Sequence, residues 1–345
     1  MDSAPTAGGR WKLPRWVPQA FGYVLSALCL VWAMRRYQFS ELWPTIRSLD
    51  WRWVAVAVIA DLSVYVCHAW RWNTLLEPVA RLRLWRTVQA IYIGLFANEV
   101  LPLRVGELIR CYLLAHWNGL RLSLGIASAA VERVIDGFWM LLAFAITAGF
   151  VGFDPRLTLG VQCLAGVVLL SALVLVWIVL SKERAAVILR EKKWASALRH
   201  IVEGLQLMGN PRTLGACALI SALYLLLHMF SYWALMKADL FDFSFWSAAG
   251  VTVIIRLLTL IPNAPGNAGV INFACIVAMT KFGAEKNEAA TFSIILFGAL
   301  TLPLLIGGAI ATAMTGLNIG ELRDRAKRGV DPSAARVPDS PRTAG

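Results

Sequence analysis

Several apolar runs in this chain are too long for the core of a globular domain, and they restrict the folds open to it more than any other feature. VAVAVIADLSVYV (54–66) and LAGVVLLSALVLVWIVL (164–180) are two of them. Several approach the roughly 20 residues that carry a helix across a bilayer. In hydrocarbon every backbone N–H and C=O must find its partner within the protein, which leaves helices or a closed barrel. Charged residues make up 16% of the chain, against about 25% in soluble proteins. The expectation is an all-α, polytopic integral membrane bundle.

A net charge of +12 does not point to nucleic acid, because the basic residues sit in short loops between apolar segments, the usual pattern at a cytoplasmic membrane surface. The six cysteines (Cys29, Cys67, Cys111, Cys163, Cys217 and Cys275) fall one to a segment without metal-ligand spacing, so they read as small packing residues. His68 and His228 lie inside apolar segments and are expected to hydrogen-bond within the bundle. Basic residues precede the first apolar run without a small-residue cleavage site, so that run is read as an uncleaved first span.

The pattern predicts a basic cytoplasmic N-terminus over 1–16 and a transmembrane domain over 17–318. A disordered basic tail follows over 319–345. Full spans are expected at about 17–34, 53–70, 134–152, 158–180, 213–236 and 288–317. Arg71, between two tryptophans, is placed at the interfacial belt. The charged loop 181–212 has amphipathic spacing (Ile188, Leu198, Ile201, Leu205, Met208) and is expected to lie on the membrane surface. The last span carries GGAIATAMTG, small residues suited to close helix packing.

Two segments are shorter. The arms 87–101 and 247–261 each rise about 22 Å, less than the roughly 30 Å of hydrocarbon. A break follows each, at Asn98, Pro102 and Gly106 in the first and at Pro262, Asn263, Pro265, Gly266 and Gly269 in the second. A further short arm then comes, 105–117 or 270–280. Each pair reads as a re-entrant hairpin, which membranes tolerate where protein or a wet cavity surrounds the irregular backbone. The alternative is a pair of kinked full spans, giving up to eight crossings. Arginine and lysine excess places 71–86, 181–212 and the tail on the cytoplasmic side and 237–246 outside. The loop 35–52, with Arg35, Arg36, Arg47 and Arg52, fits this scheme poorly. Traced this way, 158–317 repeats 17–152 upside down, the arrangement by which many transporters build a site near the midplane.

Charged residues cluster at the first break. Arg104, Glu107 and Arg110 follow Pro102 at helical i,i+3 spacing. VERVID then places Glu132, Arg133 and Asp136 at the opening of the next span. Six unpaired ions in hydrocarbon would cost on the order of 15–20 kcal/mol even on lenient scales. They must therefore pair, line a wet cavity or sit at the interface. One reading is a structural salt-bridge network. The other is a site for an anionic headgroup, since guanidinium matches phosphate oxygens bidentately. Glu107 and Arg133 are expected to meet. Arg256, inside an apolar arm, is a functional candidate by position. Its partner would be the glycine-rich break, where a helix starting near Ala268 aims its positive end at an anion.

Taken in order, Asn98–Leu101–Pro102–Arg104–Gly106–Glu107–Arg110, then Glu132–Arg133–Asp136, then Pro262–Pro265–Gly266–Gly269, with the RW-x-x-LL at Arg71–Leu76, resemble the lysylphosphatidylglycerol synthase transmembrane-region family. That family provides the flippase-like membrane domain of the multiple peptide resistance factor. The resemblance covers about residues 15–320. It implies a multi-pass protein of the bacterial cytoplasmic membrane, both termini cytoplasmic, concerned with moving phospholipid between leaflets. In fused members a separate soluble domain performs aminoacyl transfer, and with only a short tail after 318 that domain is not expected here. Leu103 stands in place of a small residue. Asn272 stands where many members carry a glutamate, which argues against a lysylated headgroup as the substrate.

The function expected is a lipid translocase or lipid-binding protein for an anionic headgroup. Arg104, Arg110, Arg133 and Arg256 would contact phosphate, and Glu107, Glu132 and Asp136 would orient the arginines or take up protons. No GxxxxGK[ST] loop, HExxH, CxxC or DxD motif occurs, so neither a cofactor nor a metal is expected. Two alternatives are a membrane-embedded transferase using Glu107 or Asp136 as general base on a lipid-linked substrate, and a scaffold for a separate lipid-modifying enzyme.

Overall fold

A chain whose amides cannot turn to water folds into hydrogen-bonded helices, and the regular elements of the computed structural model are all helical among the described residues. These residues are 17–35, 37, 39–101, 105–150, 155–180, 195–239, 241–260 and 267–316. The expectations for 1–16, 181–194 and 319–345, and for Pro102, Arg104, Pro262, Asn263, Pro265 and Gly266, lie outside them.

The helices are α1 (Val17–Met34), α2 (Leu42–Ser48), α3 (Trp51–Leu76), α4 (Leu84–Val100), α5 (Gly106–Trp117), α6 (Leu122–Phe150), α7 (Pro155–Leu180), α8 (Ala195–Met208), α9 (Pro211–Ala238), α10 (Phe245–Leu258), α11 (Val270–Lys281) and α12 (Lys286–Thr315). Local chemistry fixes their ends. Asp50 caps α3 by accepting from the Arg52 N–H, and Asn210 caps α9 just ahead of Pro211. A reciprocal Glu285–Glu288 box opens α12, and left-handed Gly316 closes it. Of the described helices, α3, α9 and α12 are long and apolar enough to cross a membrane by length and composition.

The short arms are separate helices, as the proline breaks predict. Helices α4 and α5 pack as an antiparallel hairpin, and so do α10 and α11. Each hairpin is rooted at a different end of the bundle. At one end the last turns of α3 (Trp72, Leu75, Leu76), the start of α4 (Val88), the end of α5 (Leu114), the start of α6 (Leu124) and the start of α9 (Cys217) share a core. At the other, the start of α3 (Val54), the end of α9 (Leu235), the start of α10 (Ala248), the end of α11 (Met279) and the start of α12 (Phe292) share another.

Packing follows the same inverted pattern. Helix α3 runs antiparallel along α9, tied where Ser231 Oγ donates to the Ala57 carbonyl at 2.8 Å. Helix α4 lies against α12 and α10 against α6; α5 lies against α6 and α11 against α12. The small residues of the last span serve the first of these contacts, because a Cβ on Gly308 would stand 2.5 Å from Phe96 Cβ.

Three expectations change. Helix α6 begins at Leu122, so VERVID lies three turns inside a helix and not at its opening. Arg71 is not interfacial: it is 1% exposed, in the core between α3 and its neighbours. Helix α8 has its apolar face (Val202, Leu205, Met208) covered by protein, with Gly204 close to Leu124 and Ala127 of α6.

Candidate functional site

Six charges from three helices form one alternating string. Arg133 (α6) donates to Glu107 (α5), and Glu107 accepts from Arg110 Nε at 3.1 Å. Arg110 Nη2 donates to Glu132 Oε2 of α6 at 2.9 Å, and the other Glu132 oxygen stands 3.5 Å from Arg71 Nη2 of α3. Arg71 Nη1 then donates to Asp136 of α6, which also accepts from the Tyr224 hydroxyl of α9. Each carboxylate is held by at least one guanidinium. The expected Glu107–Arg133 pair is therefore present.

This arrangement explains how the ions are tolerated. Alternation lets each buried charge be repaid by its neighbours, and only well-hydrogen-bonded geometry offsets the desolvation of such groups. Several of the remaining donor positions are used as well, Arg71 Nε being the exception. Arg71 reaches Ser221 Oγ at 2.9 Å and lies over the Tyr224 ring, and Arg110 lies over Trp72, 4.8 Å from its centroid. Trp72 is itself fixed by donating to Ser128 Oγ at 2.7 Å. The sequence reading missed Arg71 because flanking tryptophans mark an interface as readily as a core. The available signal was its position one helical turn beyond His68, inside an apolar run.

The string's two ends, Arg133 and Asp136, border a cavity of about 540 Å³. A smaller cavity of about 170 Å³ shares Tyr65, Leu95, Arg133, Asp136, Tyr224 and Arg256 with it. The lining of the larger cavity mixes charged and polar groups (Asp61, His228, Arg133 and Arg256) with aliphatic ones (Val167 and Val168 of α7, Leu300 and Leu304 of α12). The Arg133 side chain is 60% exposed, so it keeps donors free for a ligand. Arg256 has no carboxylate partner among the described residues, and its Nε makes no hydrogen bond. Asp61 and His228 were not singled out as site residues in the sequence.

The described residues of the breaks have packing duties. Asn98 Oδ1 accepts from the Gly106 N–H at 2.8 Å, satisfying an amide at the start of α5. A Cβ on Gly106 would stand 1.8 Å from the Gly94 carbonyl, so the hairpin arms touch backbone to backbone there. Gly269, with φ +82°, sits 2.3 Å (from its notional Cβ) from the Ser26 carbonyl of α1. Its close approach is thus to a helix, where the sequence suggested a ligand. Asn272 is buried and donates to Ser293 Oγ at 3.1 Å, an α11–α12 contact.

A bundle that is helical throughout its described residues, with crossing-length apolar helices and a largely apolar cavity holding a few charged groups, defines an integral membrane protein. The chain belongs to the family described as the lysylphosphatidylglycerol synthase TM region, whose model matches residues 19–308. It is also similar to a UPF0104 membrane protein of Methanothermobacter thermautotrophicus, with 29% identity over 111 residues. That match covers 31% of this chain and 33% of the relative, so it spans about a third of that protein.

Proposed function

We propose that this protein binds a membrane lipid by its anionic headgroup in the interior cavity and moves it between leaflets. The observation that carries this reading is the cavity's mixed lining, in which Arg133, Arg256, Asp61 and His228 occur among aliphatic side chains such as Val167, Val168, Leu300 and Leu304. Such a lining suits an amphiphile, since a few placed polar groups orient a ligand whose bulk is buried in apolar contacts. Arg256, assisted by the open side of Arg133, is the headgroup contact. Arg110 is engaged with Glu107 and Glu132 and Arg71 with Glu132 and Asp136, so neither is the primary phosphate ligand. The protein would sit in the cell membrane with the basic connection between α3 and α4 (Arg81, Arg83) and the basic segment 181–212 on the cytoplasmic side.

A membrane-embedded transferase is the less supported alternative, because Glu107 and Asp136, its candidate bases, are both tied to arginines. The test is movement of a tail-labelled phosphatidylglycerol in liposomes reconstituted with the protein. Wild type should accelerate exchange between leaflets, and Arg256→Gln should slow it while eluting as a folded particle. Exchange no faster than in protein-free liposomes would sink the reading.

A further inference from the structure

We propose that Asp61 and His228 form a proton site that is loaded when an anionic headgroup occupies Arg256. This rests on the translocation reading of the same cavity.

Asp61 is 2% exposed on α3, and its Oδ1 makes no hydrogen bond. His228 Nδ1 of α9 stands 3.3 Å away, within hydrogen-bond distance but not aligned for a bond, so a small rotation of either side chain would join them. The three carboxylates of the alternating string each face a guanidinium, which does not lose its proton in proteins, so their negative charge is fixed. Asp61 faces a neutralisable partner instead. It is thus the buried carboxylate of this chamber free to exist in either state.

Its ionisable surroundings come from several helices. Tyr65 flanks it on α3 and Tyr232 on α9; Arg133 and Asp136 face the cavity from α6, and Arg256 from α10. Helix α4 contributes Glu99, which has a partner of its own, and Tyr92, whose ring lies 5.6 Å from that of Tyr65. The cavity-lining residues of α7, α11 and α12 are not ionisable. The string is neutral, Arg256 and Asp61 carry opposite charges, and Glu99 of the same lining has a partner of its own. A monoanionic headgroup on Arg256 adds one negative charge to this set at membrane depth, which is costly. One proton taken from the aqueous phase onto the Asp61 carboxylate offsets it. It leaves by the same O–H bond when the lipid is released, with His228 relaying it. Proton and lipid then favour one another's binding reciprocally.

Proteoliposomes of phosphatidylcholine carrying tail-labelled phosphatidylglycerol test this, with pH gradients of either sign imposed. Wild-type exchange should speed up under one gradient and slow under its reverse. Asp61→Asn should lose that response; His228→Gln serves as a second variant should the first not fold. Wild-type exchange indifferent to both gradients overturns the proton site and leaves translocation standing. If wild type moves no lipid, the translocation reading fails, and infrared difference spectra of the purified protein between acid and neutral pH decide. A protonated-carboxyl band lost in Asp61→Asn upholds the site, and its absence from wild type overturns it.

Discussion

Arg71 and Arg256 both sit inside apolar helices of one bundle, yet their surroundings differ in kind. Arg71 is surrounded by Asp136, Glu132, Ser221 and the Tyr224 ring. Arg256 borders the cavity without a carboxylate partner among the described residues. Burial of a charge within a membrane does not by itself mark a binding group, because a string in which every guanidinium has a carboxylate partner is a structural fastening of α3, α5 and α6. An ion whose partners are missing, beside space that could hold them, is the better sign of a site.

The largest expected effect breaks the fastening. Glu132→Ala leaves Arg71 and Arg110 facing each other across a buried gap, and should cost about 3–5 kcal/mol, the usual penalty for removing one partner of a buried pair. Thermal unfolding in detergent measures it, and a change too small to detect would remove the distinction between string and chamber. Next, Gly106→Ala forces α4 and α5 apart, at about 1–3 kcal/mol for overpacking. It should also loosen Glu107 and Arg110 from their partners on α6. A wild-type melting temperature would show that the hairpin yields without strain. Arg256→Gln should leave the melting temperature near wild type but weaken retention of phosphatidylglycerol about tenfold, from the loss of one charge-assisted hydrogen bond; native mass spectrometry reads this.

A last effect comes from outside both regions and helps to isolate their pH response. Burial, reinforced by Glu288, pushes the Asp239 carboxyl up from 3.8 to about 7. The folded protein therefore keeps this proton at pH values where the unfolded chain has lost it. The stabilisation is complete below pH 3.8, declines as pH rises towards 7 and is absent above that. Asp239→Asn should flatten that part of the melting-temperature profile, and an unchanged profile would mean that Asp239 is not the group responsible.

Much of the fold was legible because it follows from length and breaks. Seventeen residues in α4 and fourteen in α10, each followed by proline, mark a short arm without any knowledge of packing. Five of the six members of the charged string were legible too, Glu107 and Arg110 at i,i+3 and Glu132 and Asp136 at i,i+4 with Arg133 beside them. Their partners across the bundle were not: Arg71 and Tyr224 meet Asp136 from 65 and 88 residues away, a distance that no local pattern encodes. For the same reason, Asp61 and His228 looked like isolated polar residues in two separate apolar runs. The antiparallel register of α3 and α9 makes them neighbours. The face of α8 was legible as amphipathic, but periodicity alone does not say whether lipid or protein covers it, and here α6 does.

The central claim is that Arg256, which has no carboxylate partner among the described residues, and not the paired string, receives the lipid headgroup. Its most direct test is an electron cryomicroscopy structure in nanodiscs of phosphatidylglycerol. The account predicts phosphate density against Arg256 and the open side of Arg133, with acyl density along α7 and α12 and the string's pairs intact. Headgroup density inserted between Arg71, Arg110 and Glu132, with Arg256 bare, would contradict it.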